Sequence, residues 1–425
     1  MTPQEALDRI RRYDGRLKAF VQVFDPPLLG EDGDGPVLAV KDLIDVAGVP
    51  TGGGARTPVD PSPARNARVV DRLLQAGWSI VGKTHTVELA YGGWGTNRAV
   101  GAPWNPWDAK IQRAPGGSSS GSAVAVAAGL CDGALGTDTG GSVRIPAAVC
   151  GVVGLKPGRG LVSLRGVHPL SPALDTVGVL ARDVATTARM LAAISGPDEA
   201  SAVREAFDAE AALAADVAGR RVAVLPPDAL GGLHPEVARL YEEATARFAE
   251  TGAVLETVAP PPVLEGSFDA NGLLMAGEGW RVWGSRITRL AEVMDPWIVR
   301  RFEAGRDITD AELDEARARR AADQAAFHAW LAPYDGLLSP TCPLPAPTLE
   351  EVDETISPLS RLTRAANYVD LPGITVPCGL TRTGLPVGLQ ILGRPADEAA
   401  VVSLGAAFEK VSGWNGRTPH LAGFG

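Results

Sequence analysis

Gly116-Gly117-Ser118 and Gly140-Gly141-Ser142 are two Gly-Gly-Ser turns whose serines stand 24 positions apart. A glycine pair lets the backbone take positive φ and approach a ligand closely. It also leaves successive N–H groups free to point at an anion. Two such turns within 114–157 read as one site, with a hydroxyl and an amide nest at its centre. The plain alternative is two tight turns in a glycine-rich α/β protein. A serine needs a base to become a nucleophile. Lys41 follows the apolar run Val37-Leu38-Ala39-Val40 directly, and burial there would lower its pKa and make it a neutral base. The competing reading is a lysine at a strand mouth that reaches solvent. With the second turn's N–H groups as an oxyanion hole, serine and lysine describe acyl transfer. The chain has no HExxH and no phosphate-binding Gly-rich loop ending in Lys-Ser/Thr, which removes two common competing motifs.

Other candidates are weaker. His85 near a strand end could be a general base, but no carboxylate stands at a telling spacing. The loop Tyr91-Gly92-Gly93-Trp94 combines glycines with aromatic residues and could line an apolar pocket or pack at a turn. Asp138 and Arg144 flank the second turn and read as a structural ion pair that holds its shape. Cys131, Cys150, Cys342 and Cys378 have no zinc spacing and read as reduced thiols.

These residues must be positioned by a large core, and 425 residues with 45% hydrophobic content supply one. The net charge of −10, without a Lys/Arg cluster, argues against a nucleic-acid partner. The charged first twenty residues do not read as a signal peptide, and no apolar run is long enough to span a bilayer. The chain therefore reads as cytoplasmic. Thr2-Pro3 opens a first helix. The stretch 37–82 reads as strand, loop, helix and strand. A small-residue helix follows the first turn over 122–130, and 134–136 leads as a strand into Thr137-Asp138 and the second turn. The segment 197–219 reads as an acidic, Ala-rich helix and 264–332 as mostly helical, its tryptophans (Trp280, Trp283, Trp297 and Trp330) serving as core. Strands return at 336–338, 374–379 and 385–393, and a last helix covers 397–411. This alternation predicts one α/β domain over 1–425 with helices on both faces of its sheet, including a variable, mostly helical segment at about 197–335.

The motifs LAVKDLIDVAGVPTGGG, IVGKTHTVELA, APGGSSSGSAVAVAAGL, GTDTGGSVRIPAAVCGVVGLKP, SPTCPLPAP and ITVPCG with the following GLPVGLQILG resemble the amidase signature family. The resemblance covers about 35–180 densely and 335–410 more sparsely. It implies an α/β amidase-signature fold with a large mixed central β-sheet. It also implies a serine, cis-serine and lysine relay with Ser142 as nucleophile, Ser118 as bridging serine after a cis peptide, and Lys41 as base. The backbone N–H groups of Thr139, Gly140, Gly141 and Ser142 become the oxyanion hole, and no metal or cofactor is called for. Ser120 stands where many members have glycine, and the remaining serines of the first turn are expected to be incidental. The implied activity is hydrolysis of a small or aryl amide through an acyl-enzyme, with esters, carbamates or ureas as further candidates and a homodimer left open. Two other readings stand beside it. One is the glutamine-hydrolysing component of a tRNA-dependent amidotransferase complex, and the other is a non-catalytic binding protein on the same fold.

Overall fold

Val37 to Lys41 is buried at every position, and its alternate residues enter different cores. Leu38 and Val40 belong to one hydrophobic cluster, Val37 and Ala39 to the other. Successive side chains of a strand point to opposite faces, so a strand apolar on both sides must be covered on both. The computed structural model describes residues 1–31, 33, 35–198, 204–414 and 416–425. It contains one eleven-stranded mixed sheet. The strands are β1 (Phe20–Leu28), β2 (Val37–Lys41), β3 (Ser79–Thr84), β4 (Gly133–Asp138), β5 (Val153–Lys156), β6 (Thr176–Ala181), β7 (Arg221–Val224), β8 (Val254–Thr257), β9 (Gly336–Pro340), β10 (Gly373–Leu380) and β11 (Pro386–Leu392). Their spatial order is β1-β3-β2-β4-β6-β5-β10-β11-β9-β7-β8. β2 runs parallel to β3 and β4, and β7 parallel to β8 and β9, while the remaining pairs are antiparallel.

The helices are α1 (Pro3–Leu17), α2 (Arg68–Gln75), α3 (Ser120–Ala127), α4 (Arg144–Cys150), α5 (Val184–Ile194), α6 (Ala209–Ala214), α7 (Pro235–Phe248), α8 (Pro262–Leu290), α9 (Pro296–Glu303), α10 (Asp310–Leu331), α11 (Arg364–Tyr368) and α12 (Glu398–Val411). α1, α3 and α4 cover one face through Ala6, Ile10, Val124 and Val149. α2, α5, α7 and α12 cover the other through Val70, Leu191, Leu240 and Phe408. α1 begins with Thr2 and Glu5 capping each other's backbone, followed by Pro3, as the sequence predicts. None of the described helices is long and apolar enough to cross a membrane.

Several elements differ from expectation. Between 197 and 219 the only described helix is α6, and residues 199–203 lie outside the described residues. β1 escapes a pattern search because it is an edge strand containing Asp25-Pro26-Pro27, mostly exposed along its length. α4 contains Pro146, yet forms because a first-turn N–H has no helical partner to lose. The four cysteines are free and buried.

Candidate active site

Lys41 closes β2, and the neighbouring strand β4 lies alongside it in parallel register. This places Lys41 Nζ 2.7 Å from Thr137 Oγ1 and 2.7 Å from Ser118 Oγ. Burial drives the lysine down from its ordinary 10.5 to about 7, against the opposing pull of Asp138 and Asp175. Its polar contacts are hydroxyls, which satisfy an amine without demanding that it be charged.

The first turn enters α3 and is clasped by the loop after β3. Gly116 and Gly117 donate to the carbonyls of Trp94 and Gly93 (3.0 and 2.8 Å), and Val87 N–H donates to Ser118 O at 3.2 Å. The Gly117–Ser118 peptide is cis. The second turn joins β4 to α4. Ser119 N–H donates to Ser142 O at 3.1 Å, so the two turns touch through their backbones. The extra serines are not incidental to the architecture. Ser119 bonds both backbone groups of Thr137 at 3.3 Å, and Ser122 ties α3 to Leu135 O at 2.9 Å and to Thr84 at 2.7 Å. Ser120 Oγ is buried with no hydrogen-bond partner among the described residues.

Every peptide of the second turn is clamped. Asn271 Nδ2 donates to Thr139 O at 3.3 Å, Thr363 Oγ1 to Gly140 O at 2.7 Å, and Ile145 N–H to Gly141 O at 2.7 Å. A trans peptide aims its N–H opposite its carbonyl, so each clamp also aims the next N–H. Gly141 N–H lands on Asp138 Oδ1 at 2.7 Å. Of the four N–H groups expected to face an oxyanion, this one is therefore turned inward. Those of Thr139, Gly140 and Ser142 make no hydrogen bond among the described residues.

Asp138 and Arg144 are fully buried and form the expected pair. Arg144 uses all five N–H donors, on Asp138 (3.1 and 3.0 Å), Asn367 (2.6 Å), Gln390 (2.7 Å) and Thr363 O (2.9 Å). Burial alone would raise the Asp138 carboxyl, but the Arg144 guanidinium outweighs it and holds the group far below the usual carboxylate range. Thr139 Oγ1 donates to Asp175 at 2.6 Å, and burial raises Asp175 to about 6. Thr137, Asp175, Asn271, Thr363 and Asn367 are partners that no motif reading picked out. Thr137 had a visible signal, since it sits one residue before Asp138 at the end of a strand that must neighbour the lysine's. Asn271 and Asn367 had none.

A cavity of about 1200 Å3 opens over the second turn, with Thr139, Gly140 and Ser142 in its lining. Ser142 retains 8% exposure, whereas Lys41 and Ser118 are at 0%, so of the three side chains only Ser142 meets an entering molecule. Tyr91 and Gly92 line the cavity as expected. Trp94 does not. It lies buried behind the wall, and its indole N–H donates to the carbonyls of Asp353 and Ile356, both at 3.1 Å. Among the four tryptophans read as core, Trp297 is on the cavity wall, while Trp283 is buried with its N–H on Pro169 O at 2.7 Å. His85 is buried and stands apart from the cavity lining.

A model of the Amidase family matches residues 1–402. The chain is 35% identical, over 99% of its length and 90% of the relative's, to the glutamyl-tRNA(Gln) amidotransferase A-subunit of Chloroflexus aggregans. The solved structure of the corresponding A-subunit from Thermotoga maritima superposes with a TM-score of 0.86 at 31% identity, covering 99% of this chain and 94% of that one. A crystal structure of an amidase superposes with a TM-score of 0.84 at 32% identity, covering 96% of each chain.

Proposed function

The chain belongs to the Amidase family and is an amidohydrolase acting on C–N amide bonds, and on that premise we propose that it hydrolyses a small or aryl amide through an acyl-enzyme on Ser142. Neutral Lys41 takes a proton from Ser118 as Ser118 takes one from Ser142. Ser142 Oγ attacks the amide carbonyl, and the tetrahedral oxyanion meets the N–H groups left unengaged around it, those of Thr139, Gly140 and Ser142. Ser118 returns a proton to the departing amine, and the C–N bond breaks. Water, deprotonated by the same relay, then hydrolyses the ester.

The observation that carries this reading is a lysine buried against Ser118 and held near neutrality, beneath a serine that opens to a cavity. Burying a lysine without a carboxylate in contact is unfavourable unless its neutral form is used. Esters, carbamates and ureas present the same carbonyl and are further candidate substrates. The test is hydrolysis of a panel of amides, ureas, carbamates and esters by the purified chain, with fluorophosphonate labelling. Turnover by the chain alone and an adduct on Ser142, lost in Ser142→Ala, support it. An adduct on any other residue would refute it.

The extended likeness to these amidotransferase proteins favours one second reading, a glutamine-hydrolysing component that works inside a tRNA-dependent amidotransferase complex. Copurification of a second protein, with glutaminase activity appearing only in its presence, would select it.

A further inference from the structure

Of the four arginines on the cavity wall only Arg301 forms an ion pair among the described residues, and of the other three Arg364 is the one that packs on the second turn. Arg364 opens α11, and its Cγ lies 3.3 Å from where a Cβ on Gly140 would stand, so its stem packs directly on the turn beside Ser142. Its Nε donates to Ser360 Oγ at 3.1 Å and its Nη1 to Phe268 O at 3.2 Å. The guanidinium stacks on the Phe268 ring 3.9 Å from the centroid. These contacts fix its plane but bring no negative charge. Among the described residues Nη2 makes no hydrogen bond, and no carboxylate forms an ion pair with the group. Asp269, which acts on it through space, is exposed on α8 and shares the cavity lining without touching the guanidinium.

The other arginines of the wall are differently placed. Arg301 is paired with Glu354 at 2.7 Å and also bonds Tyr91 O. Arg361 is occupied by the carbonyls of Leu230 and Gly231. Arg300 lies exposed at the rim, beside the Trp297 ring. Arg364 is thus a half-buried guanidinium held in the lining of the same cavity as Ser142, with Nη2 left without a hydrogen bond among the described residues. A charge withdrawn from water without a partner is costly, and a planar fork matches a carboxylate.

We propose that the substrate is an amide bearing a carboxylate a few bonds from its scissile carbonyl, and that Arg364 receives that carboxylate. This rests on the hydrolytic reading of Ser142 given above, and it adds the substrate's charge. The hydroxyl-bearing ring of Tyr91, also in the lining, supplies a second polar group.

The test compares matched amides that differ only in charge. Succinamate and glutaramate carry the carboxylate on the acyl side, against neutral 4-methylpentanamide and 5-methylhexanamide. N-butyrylglycine carries it on the amine side, against N-isobutylbutanamide. Wild type is expected to favour the anionic member of at least one series by about 10- to 100-fold in kcat/KM, the range of a charge-assisted hydrogen bond. Arg364→Gln should lower that ratio by about the same factor, mainly through KM, and Arg364→Lys should restore part of it. Succinate should inhibit wild type competitively and lose affinity in Arg364→Gln. Turnover of neutral amides with no anionic preference would overturn this inference and leave the hydrolytic reading standing. Turnover of none of the amides, with no labelling of Ser142, would overturn the hydrolytic reading itself. Because the wild-type preference is measured first, a variant that fails to fold does not spare the proposal.

Discussion

If Lys41 is the base, the pH dependence of the acylation step reports its deprotonation. With the group held near 7 by burial, the neutral fraction is about 9% at pH 6 and about 91% at pH 8, so kcat/KM should rise about tenfold between them and then level off. An unshifted lysine near 10.5 would give about a hundredfold rise over the same interval and no plateau below pH 10. Lys41→Arg keeps the charge and forfeits the base, since a guanidinium does not deprotonate in this range. It should lose about 10²- to 10⁴-fold in kcat/KM. Stability moves in the same direction, over a higher range. The folded-state pKa lies below the unfolded one, so unfolding takes up a proton between pH 7 and 10.5. Stability from this group therefore rises with pH across that window, by roughly 1.4 kcal/mol per unit at most. Lys41→Met should be inactive yet no less stable at pH 7, with a flatter pH–stability curve. The assays are amine release and fluorophosphonate labelling from pH 5.5 to 9.5, together with thermal unfolding. A flat kcat/KM from pH 6 to 9, or Lys41→Arg at wild-type rate, would sink the relay.

Three further outcomes follow from the same geometry. Gly141 has φ +123°, and a Cβ there would lie 2.1 Å from Thr363 Oγ1. Gly141→Ala should therefore break the clamp on Gly140 O and slow fluorophosphonate labelling at least 100-fold, at a stability loss of about 1–3 kcal/mol read by thermal unfolding. Arg144→Met leaves Asp138 buried and uncompensated and should destabilise by about 3–5 kcal/mol, with Asp138→Asn in the same chain recovering part of the melting temperature. Burial holds His85 down at about 4, below its ordinary 6.5. The unfolded chain then binds the proton first, so stability from this group is lost as pH falls from 6.5 toward 4, by about 3 kcal/mol in all. His85→Phe should flatten that acid limb in a melting-temperature series, and an unchanged limb would assign it to other groups.

The sequence made the candidate site's two turns legible because glycine and serine at fixed places have few other uses. Lys41 was legible because a charged residue closing an apolar strand has to be explained. β2, β3, β10 and β11 showed as Val, Ile and Leu runs, and the family resemblance supplied the sheet's mixed character, whereas β5 and β6 at its middle are short, glycine-interrupted strands that the pattern did not show. What was not legible came from tertiary contacts. β1 pairs with β3 despite two prolines and carries no apolar alternation. Trp94 and Tyr91 share one loop, yet Tyr91 faces the cavity and Trp94 braces the segment behind it. Arg364 stands beside Gly140 only because α11 packs on α8 and on the second turn, more than 200 residues away in sequence. No local pattern marks a residue whose role is set by a contact of that range.

The Asp138–Arg144 pair, read from sequence as a brace for the turn, also bears on the base. Asp138 acts through space to raise the Lys41 pKa, and a carboxylate touching the amine would keep it charged and useless as a base. Its oxygens are instead taken by Arg144, by Gly141 and Val143 N–H, and by Asn367 Nδ2. The amine is left with two hydroxyls, Ser118 and Thr137. The same carboxylate that shapes the turn is thus kept from fixing the proton on Lys41, and Arg144 is what keeps it so. On the proposed reading the relay sits at the buried end of β2, and charge selection of the substrate falls to Arg364 on the cavity wall. Chemistry at Ser142 requires a neutral amine beneath it, and recognition of a carboxylate requires an unneutralised cation above it. Arg144, paired completely beside the turn, and Arg364, without an ion pair among the described residues, are placed for these two tasks.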